Sequence, residues 1–169
     1  MREFLESGLP MDFYIDAGSK IAKSGAGSNR LALRNASSYA LCIDELHVAS
    51  PVAGTFTLKA HNTTSTLGTS AAVITPRSAI VGTSAAVPTG WKSYYGTNAA
   101  TSGVSMSGAY TLYSRRLEAS GTINFCDTGP LIICSNRGFG LLAIPSSQQS
   151  IQVSCRARVL PWQTIRTIG

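Results

Sequence analysis

The sequence is short of charge. Only 13% of its 169 residues are Asp, Glu, Lys or Arg, against about 25% in an average globular chain. Acids are the scarcer sign: eight Asp and Glu face 14 Lys and Arg, for a formal charge of +6. Two histidines and few carboxylates do not supply a ligand cluster for a metal. Glu, Lys and Leu are too sparse for a coiled coil or a helical bundle. No apolar run approaches the length of a membrane helix, so no membrane partner is expected. Cys42, Cys126, Cys134 and Cys155 form no C-x-x-C pair, which removes the zinc and dithiol motifs. The stretch Met1-Arg2-Glu3-Phe4-Leu5-Glu6 has no apolar core, so no secretory signal is expected. The thiols are then expected to be reduced, unpaired and buried as small hydrophobes.

What is present points to strands. The chain has 22 Ser, 16 Thr and 16 Gly, and 44% of it is hydrophobic. That is too apolar and too weakly charged for disorder, and it favours strands and turns over helices. Residues 151–159 are the clearest case. Ile151, Val153, Cys155, Ala157 and Val159 alternate with Gln152, Ser154, Arg156 and Arg158, the pattern of a half-buried antiparallel strand. Phe56, Leu58 and Ala60 alternate with Thr55, Thr57 and Lys59 in the same way. Around Asp44-Glu45 the apolar phase changes from Leu41 and Ile43 to Leu46 and Val48, which predicts a β-bulge or kink. Eight or so short strands with turns between them predict an all-β, antiparallel β-sandwich, jelly-roll-like.

Two segments stand apart from that body. Residues 1–29 read as an extended N-terminal arm, with a sandwich domain over 30–169. The arm carries Phe4, Leu5, Leu9, Phe13, Tyr14 and Ile15, too apolar for a solvated tail, so these are candidate interface residues. Residues 1–20 have a net charge of −2 (Arg2 and Lys20 against Glu3, Glu6, Asp12 and Asp16) and the remainder +8. An acidic arm on a basic body suits self-association or docking on a charged partner. The second segment is a long loop, 82–108, with Trp91, Tyr94 and Tyr95 embedded in small polar residues. Such rings either contact a partner or sugar ligand or pin the loop to its own sandwich. Arg115, Arg116, Arg156 and Arg158 are the closest groupings of bases and the basic contact candidates. They are too scattered for the stripe of a nucleic-acid binder.

Motifs with chemical meaning are few, and each has a plain structural reading. Asp127-Thr128-Gly129 is the aspartic-protease tripeptide, but a single copy needs a dimer to pair its carboxylate, and Pro130 follows. A strand-ending turn explains it. His47 and His61 have no G-x-S-x-G nucleophile to serve. Gly138-Phe139-Gly140-Leu141-Leu142-Ala143 fits G-x-G-x-x-A but leads into an apolar strand rather than a helix, so the glycines read as a turn or bulge. Asn35-Ala36-Ser37 and Asn62-Thr63-Thr64 fit the glycosylation pattern by chance. No catalytic, metal or cofactor site is expected, and no enzyme.

Residues 31–46, LALRNASSYALCIDEL, are an apolar strand ending at Asn35, a small-residue turn and a second strand. This segment resembles one found in virion proteins of tailed bacteriophages. The 140–159 hairpin, with Pro145 before its polar turn, is similar to the closing hairpin of the same proteins. The resemblance implies a jelly-roll virion protein made in the host cytoplasm and located in the virion. Most directly it implies a capsid decoration (cement) protein that binds the major capsid protein of the assembled shell and stabilises it. The arm would lock subunits laterally, and a homotrimer is the expected assembly. The alternative is a tail-associated fibre or adhesin domain whose Trp91, Tyr94 and Tyr95 contact host-surface glycan.

Overall fold

The computed structural model describes residues 12–22, 28–37, 39–62, 71–73, 77–78, 91–96 and 110–160. Among these are twelve strands: β1 (Asp12–Ala22), β2 (Ser28–Asn35), β3 (Ala40–Ser50), β4 (Gly54–Asn62), β5 (Ala71–Val73), β6 (Arg77–Ser78), β7 (Trp91–Gly96), β8 (Tyr110–Leu117), β9 (Gly121–Asn124), β10 (Leu131–Ile133), β11 (Arg137–Pro145) and β12 (Gln149–Leu160). They make two antiparallel sheets. The first runs β10-β3-β12-β1-β6, with β9 sharing β10's edge of β3. The second runs β5-β7-β2-β11-β4-β8. Without β5, β6 and β7, the first sheet is β1-β12-β3 with β9 and β10, and the second is β2-β11-β4-β8. Neighbours so far apart in sequence are the signature of nested Greek keys, and the sandwich is jelly-roll-like.

The core lies between the sheets and follows the alternation of the strands. From β12 it takes Ile151, Val153, Cys155, Ala157 and Val159, and from β4 Phe56 and Leu58. Leu31 and Leu33 of β2 meet Leu141 and Phe139 of β11 in register. The expected kink in β3 is present: the ladder with β12 shifts register between Glu45 and Ile43, leaving Asp44 as the extra residue. The shift lets Leu41, Ile43, Leu46 and Val48 all reach the core.

Two expected boundaries change. The arm does not stand apart over 1–29, because residues 12–22 are β1, inside the first sheet and antiparallel to β12. Asp12, Tyr14 and Asp16 pair with Arg158, Arg156 and Ser154, on the outward phase of β12, while Ile15 pairs with Cys155 and is fully buried. Ile15 is therefore a core residue and not an interface one. Tyr14 is 44% exposed, and Phe13 sits opposite Ala157. Phe4, Leu5 and Leu9 lie outside the described residues. The second change is in 82–108, where residues 91–96 form β7, paired on one side with β2 and on the other with β5.

The connections between sheets are tied by one side chain. Asn35, fully buried at the end of β2, donates through Nδ2 to the carbonyls of Tyr39 (2.8 Å), Ile133 (3.1 Å) and Cys134 (3.3 Å). Its Oδ1 accepts from the Ser37 backbone N–H at 3.1 Å and the Ser37 hydroxyl at 2.6 Å. Ser135 Oγ adds a bond to Ser37 O at 2.6 Å. The β2–β3 and β10–β11 crossings are thereby fastened to each other. Asn35→Ala leaves several buried groups unpaired, each worth roughly 1–3 kcal/mol. The expected loss is about 3 kcal/mol, read as a lower urea midpoint at unchanged slope; a loss under about 0.5 kcal/mol contradicts this account of the crossings.

Candidate functional site

The carboxylates beyond residue 20 are spent on arginines. Residues beyond 20 hold four acids, Asp44, Glu45, Glu118 and Asp127. Each meets one of the four arginines singled out as basic contact candidates. Arg115 grips Asp127 with both guanidinium ends, Nη1 to Oδ2 and Nη2 to Oδ1, each at 2.6 Å. Arg116 lies 3.4 Å from Glu118 on open surface, Arg156 3.6 Å from Glu45, and Arg158 3.0 Å from Asp44. The four arginines are compensated in place and form no common patch.

Arg115 also fastens the sheets. It sits on β8 of the second sheet, and Asp127 lies in the turn between β9 and β10 of the first. Arg115 Nη1 also donates to Asn124 O at 3.2 Å, and Tyr113, one turn of alternation earlier, donates its hydroxyl to Phe125 O. The Asp-Thr-Gly tripeptide is thus a turn. Gly129 has φ of 142°, a conformation that favours glycine. The carboxyl of Asp127 is held below the ordinary carboxylate range, first by its hydrogen bonds to Arg115 and then by that charge. A clamped, ionised carboxylate of this kind is not placed to share a proton with a twin.

The remaining motifs resolve as structure. Gly138 and Gly140 occupy regular ladder positions in β11, flanked by β2 and β4, not a turn. The bulge in that ladder lies on the β2 side, between Leu31 and Asn29. His47 Nε2 lies 3.3 Å from Glu45 Oε2, on the outer face of the first sheet. Ser154 sits opposite His47 in register, yet no side-chain hydrogen bond joins them among the described residues. His61 closes β4 opposite Gly138. The four cysteines are free thiols; Cys42, Cys126 and Cys155 are buried and Cys134 is half-buried. Burial pushes all three buried thiols up, Cys126 to about 11. Among the described residues no three His, Cys, Asp or Glu side chains come together as a metal set.

Trp91, Tyr94 and Tyr95 come together only as a strand. They pair with Asn35, Ala32 and Leu31 of β2. Positions 94 and 95 are consecutive in that strand.

One concave feature was not foreseen. A groove of about 510 Å³ opens at the side of the sandwich, between β8 of one sheet and β10 of the other. Its floor is Ala60, Ile133 and Phe139. Its walls carry three exposed apolar side chains: Tyr110 at 64%, Leu112 at 43% and Ile132 at 46%. Arg137 stands in the lining and has no carboxylate partner among the described residues. Both flanking strands end their sheets, so among the described residues each has an unpaired backbone edge. The sequence signal was weak: Tyr110 and Leu112 read as an ordinary alternating strand, whereas a register shift in the β4–β8 ladder makes Leu112 an extra residue.

Charge divides between the sheets. Strands of the first carry Asp12, Asp16, Asp44 and Glu45 against Lys20, Arg77, Arg156 and Arg158. Strands of the second carry Arg30, Arg34, Lys59, Lys92, Arg115, Arg116 and Arg137 and no acid at all. Compared with family models, with curated proteins and with solved structures, the chain matches none.

Two outcomes follow from this chemistry. The folded pKa of Asp127 lies below the unfolded one, so its contribution is full above about pH 4 and fades as pH falls below it. Asp127→Asn should therefore be less stable than the parent at pH 7 and converge with it near pH 2, measured by urea denaturation at both; an equal gap at both values contradicts the clamp. Alkylation of the native protein at pH 8 should modify Cys134 first, with Cys42, Cys126 and Cys155 following only on unfolding. Fast uptake at all four sites would be inconsistent with their burial.

Proposed function

We propose that the chain is a structural protein of a virion, a decoration (cement) protein that binds the assembled capsid shell and stabilises it. The observation that carries the reading is the combination of a jelly-roll-like sandwich with an apolar groove between two strand edges that are open among the described residues. Jelly rolls are widely used to build capsid and lectin surfaces. The body's carboxylates support the same reading, since each is spent on holding an arginine. A chain built this way presents shape and apolar edge to other proteins. A protein that binds only the assembled shell stabilises it by mass action, without chemistry of its own. Its partners are then the major capsid protein and other copies of itself, with a trimer as the assembly, and its place is the virion.

The adhesin reading has less to rest on. It needs Trp91, Tyr94 and Tyr95 on a projecting loop, and their backbone lies within the second sheet between β5 and β2. The copy number of this chain in purified virions, measured by quantitative mass spectrometry against the major capsid protein, tests the proposal. Hundreds of copies in fixed ratio to the capsid protein are expected. A handful of copies would move the chain to the tail, and absence from the particle would end the reading.

A further inference from the structure

We propose that the groove between β8 and β10 binds a small amphipathic anion, of the class of medium-chain aliphatic carboxylates. The proposal does not depend on the virion reading. It begins with why the groove is there. The core-facing positions of β4 run Phe56, Leu58, Ala60. The first two are fully buried large side chains, and the third is a methyl group. Ala60 pairs with Phe139 on one side and Tyr110 on the other. The core thus loses side-chain volume at this end of the second sheet, and Ile133 of β10 lines the space from the first. The groove is an unfilled continuation of the core between the sheets, about 510 Å³ in volume.

The chemistry of the lining has two parts. Leu112, Leu131, Ile132 and Ile133 are aliphatic, and water held against them is released when an apolar body takes its place. Arg137 is the other part. It shares the core-facing phase of β11 with Phe139 and Leu141, where the alternation otherwise sets apolar side chains. It is the charged residue of the lining, it is exposed, and it has no carboxylate partner among the described residues. Arg115, Arg116, Arg156 and Arg158 differ from it in that each faces an acid. The lining itself holds no Asp or Glu.

Charge and size select the occupant. An apolar recess with one cation at its rim matches a ligand with an apolar tail and one anionic head. A guanidinium takes a carboxylate through two parallel hydrogen bonds, which fixes the head while the tail lies along the aliphatic wall. A cationic head would meet Arg137 as a like charge, and an uncharged head would gain nothing from it. Ligand pockets typically run about 300–1,000 Å³. The groove falls in the lower half of that range, which suits a single chain rather than a two-chain lipid.

The test titrates the full-length chain with decanoate in a calorimeter, below the concentration at which decanoate forms micelles. Binding is expected. Each buried methylene is worth about fourfold in affinity, so decanoate should bind at least about tenfold more tightly than hexanoate. Decanol, the same chain without the charge, should bind about tenfold more weakly than decanoate. Arg137→Gln, at an exposed side chain and so tolerated by the fold, should weaken decanoate to the level of decanol and leave decanol unchanged. Decanoate carrying a photoreactive diazirine at its chain end should crosslink to peptides covering residues 110–112 or 131–139, with unlabelled decanoate competing. No binding of decanoate, equal affinity for decanol and decanoate, an Arg137→Gln variant that weakens both alike, or an adduct mapping outside the groove would overturn the proposal.

Discussion

Everything in this fold depends on carrying the chain from one sheet to the other without stranding its backbone. A sandwich turns its strands' polar edges into ladders, but the crossings at its ends have no ladder to join. Buried backbone groups there must find partners. Asn35 meets that need with one amide. It satisfies carbonyls from the β2–β3 crossing and from residues 133 and 134, where the chain returns from the first sheet to the second. Asparagine has the shape for it, since one side carries two donors and the other an acceptor. Aspartate would set a negative charge against carbonyl oxygens, and leucine would leave them bare. The Arg115–Asp127 clamp does related work across the sheets, but on exposed ground, where ion pairs are weak. The buried amide is the stronger constraint because no water can replace it.

The same economy governs charge. The four carboxylates beyond residue 20 all face arginines. The surplus positive charge is not spread evenly. It collects on the strands of the second sheet, which alternate in sequence with strands of the first. Bases scattered along the sequence thus gather on the strands of one sheet, and two of them, Arg115 and Arg116, are paired there with Asp127 and Glu118.

The parts of the fold that were legible in the sequence were those where burial and side-chain period coincide. β12 and β4 alternate cleanly because each is covered on one face, and the bulge at Asp44 shows as a slip in phase. β1 was hidden by its polar residues. Asp12 and Asp16 resemble the polar punctuation of an arm, and only their pairing with the Arg158 and Ser154 positions reveals a strand. β7 was hidden by composition, since Trp91–Gly96 sits among small polar residues. The arginine candidates were visible as bases, but their partners lie 2 to 114 residues away, and separation in sequence says nothing of that. The groove was the least legible feature. It is a property of two edges brought together by topology, and no local pattern encodes it.

Those edges also bear on what the chain does. Among the described residues, β8 and β10 have unpaired backbone edges next to exposed Tyr110, Leu112 and Ile132, the arrangement that invites edge-to-edge association. Proteins blunt such edges with charge, proline or a cover. Here the groove carries one base, Arg137, and β8 and β10 contain no proline and no acid. On β8 the charge sits at Arg115 and Arg116, past the groove, so at the groove itself Arg137 is the charged group in the lining. The scarcity of charge noted at the outset then has a physical meaning here: few charged side chains stand along this apolar edge, and its exposed surface is dominated by Tyr110, Leu112 and Ile132.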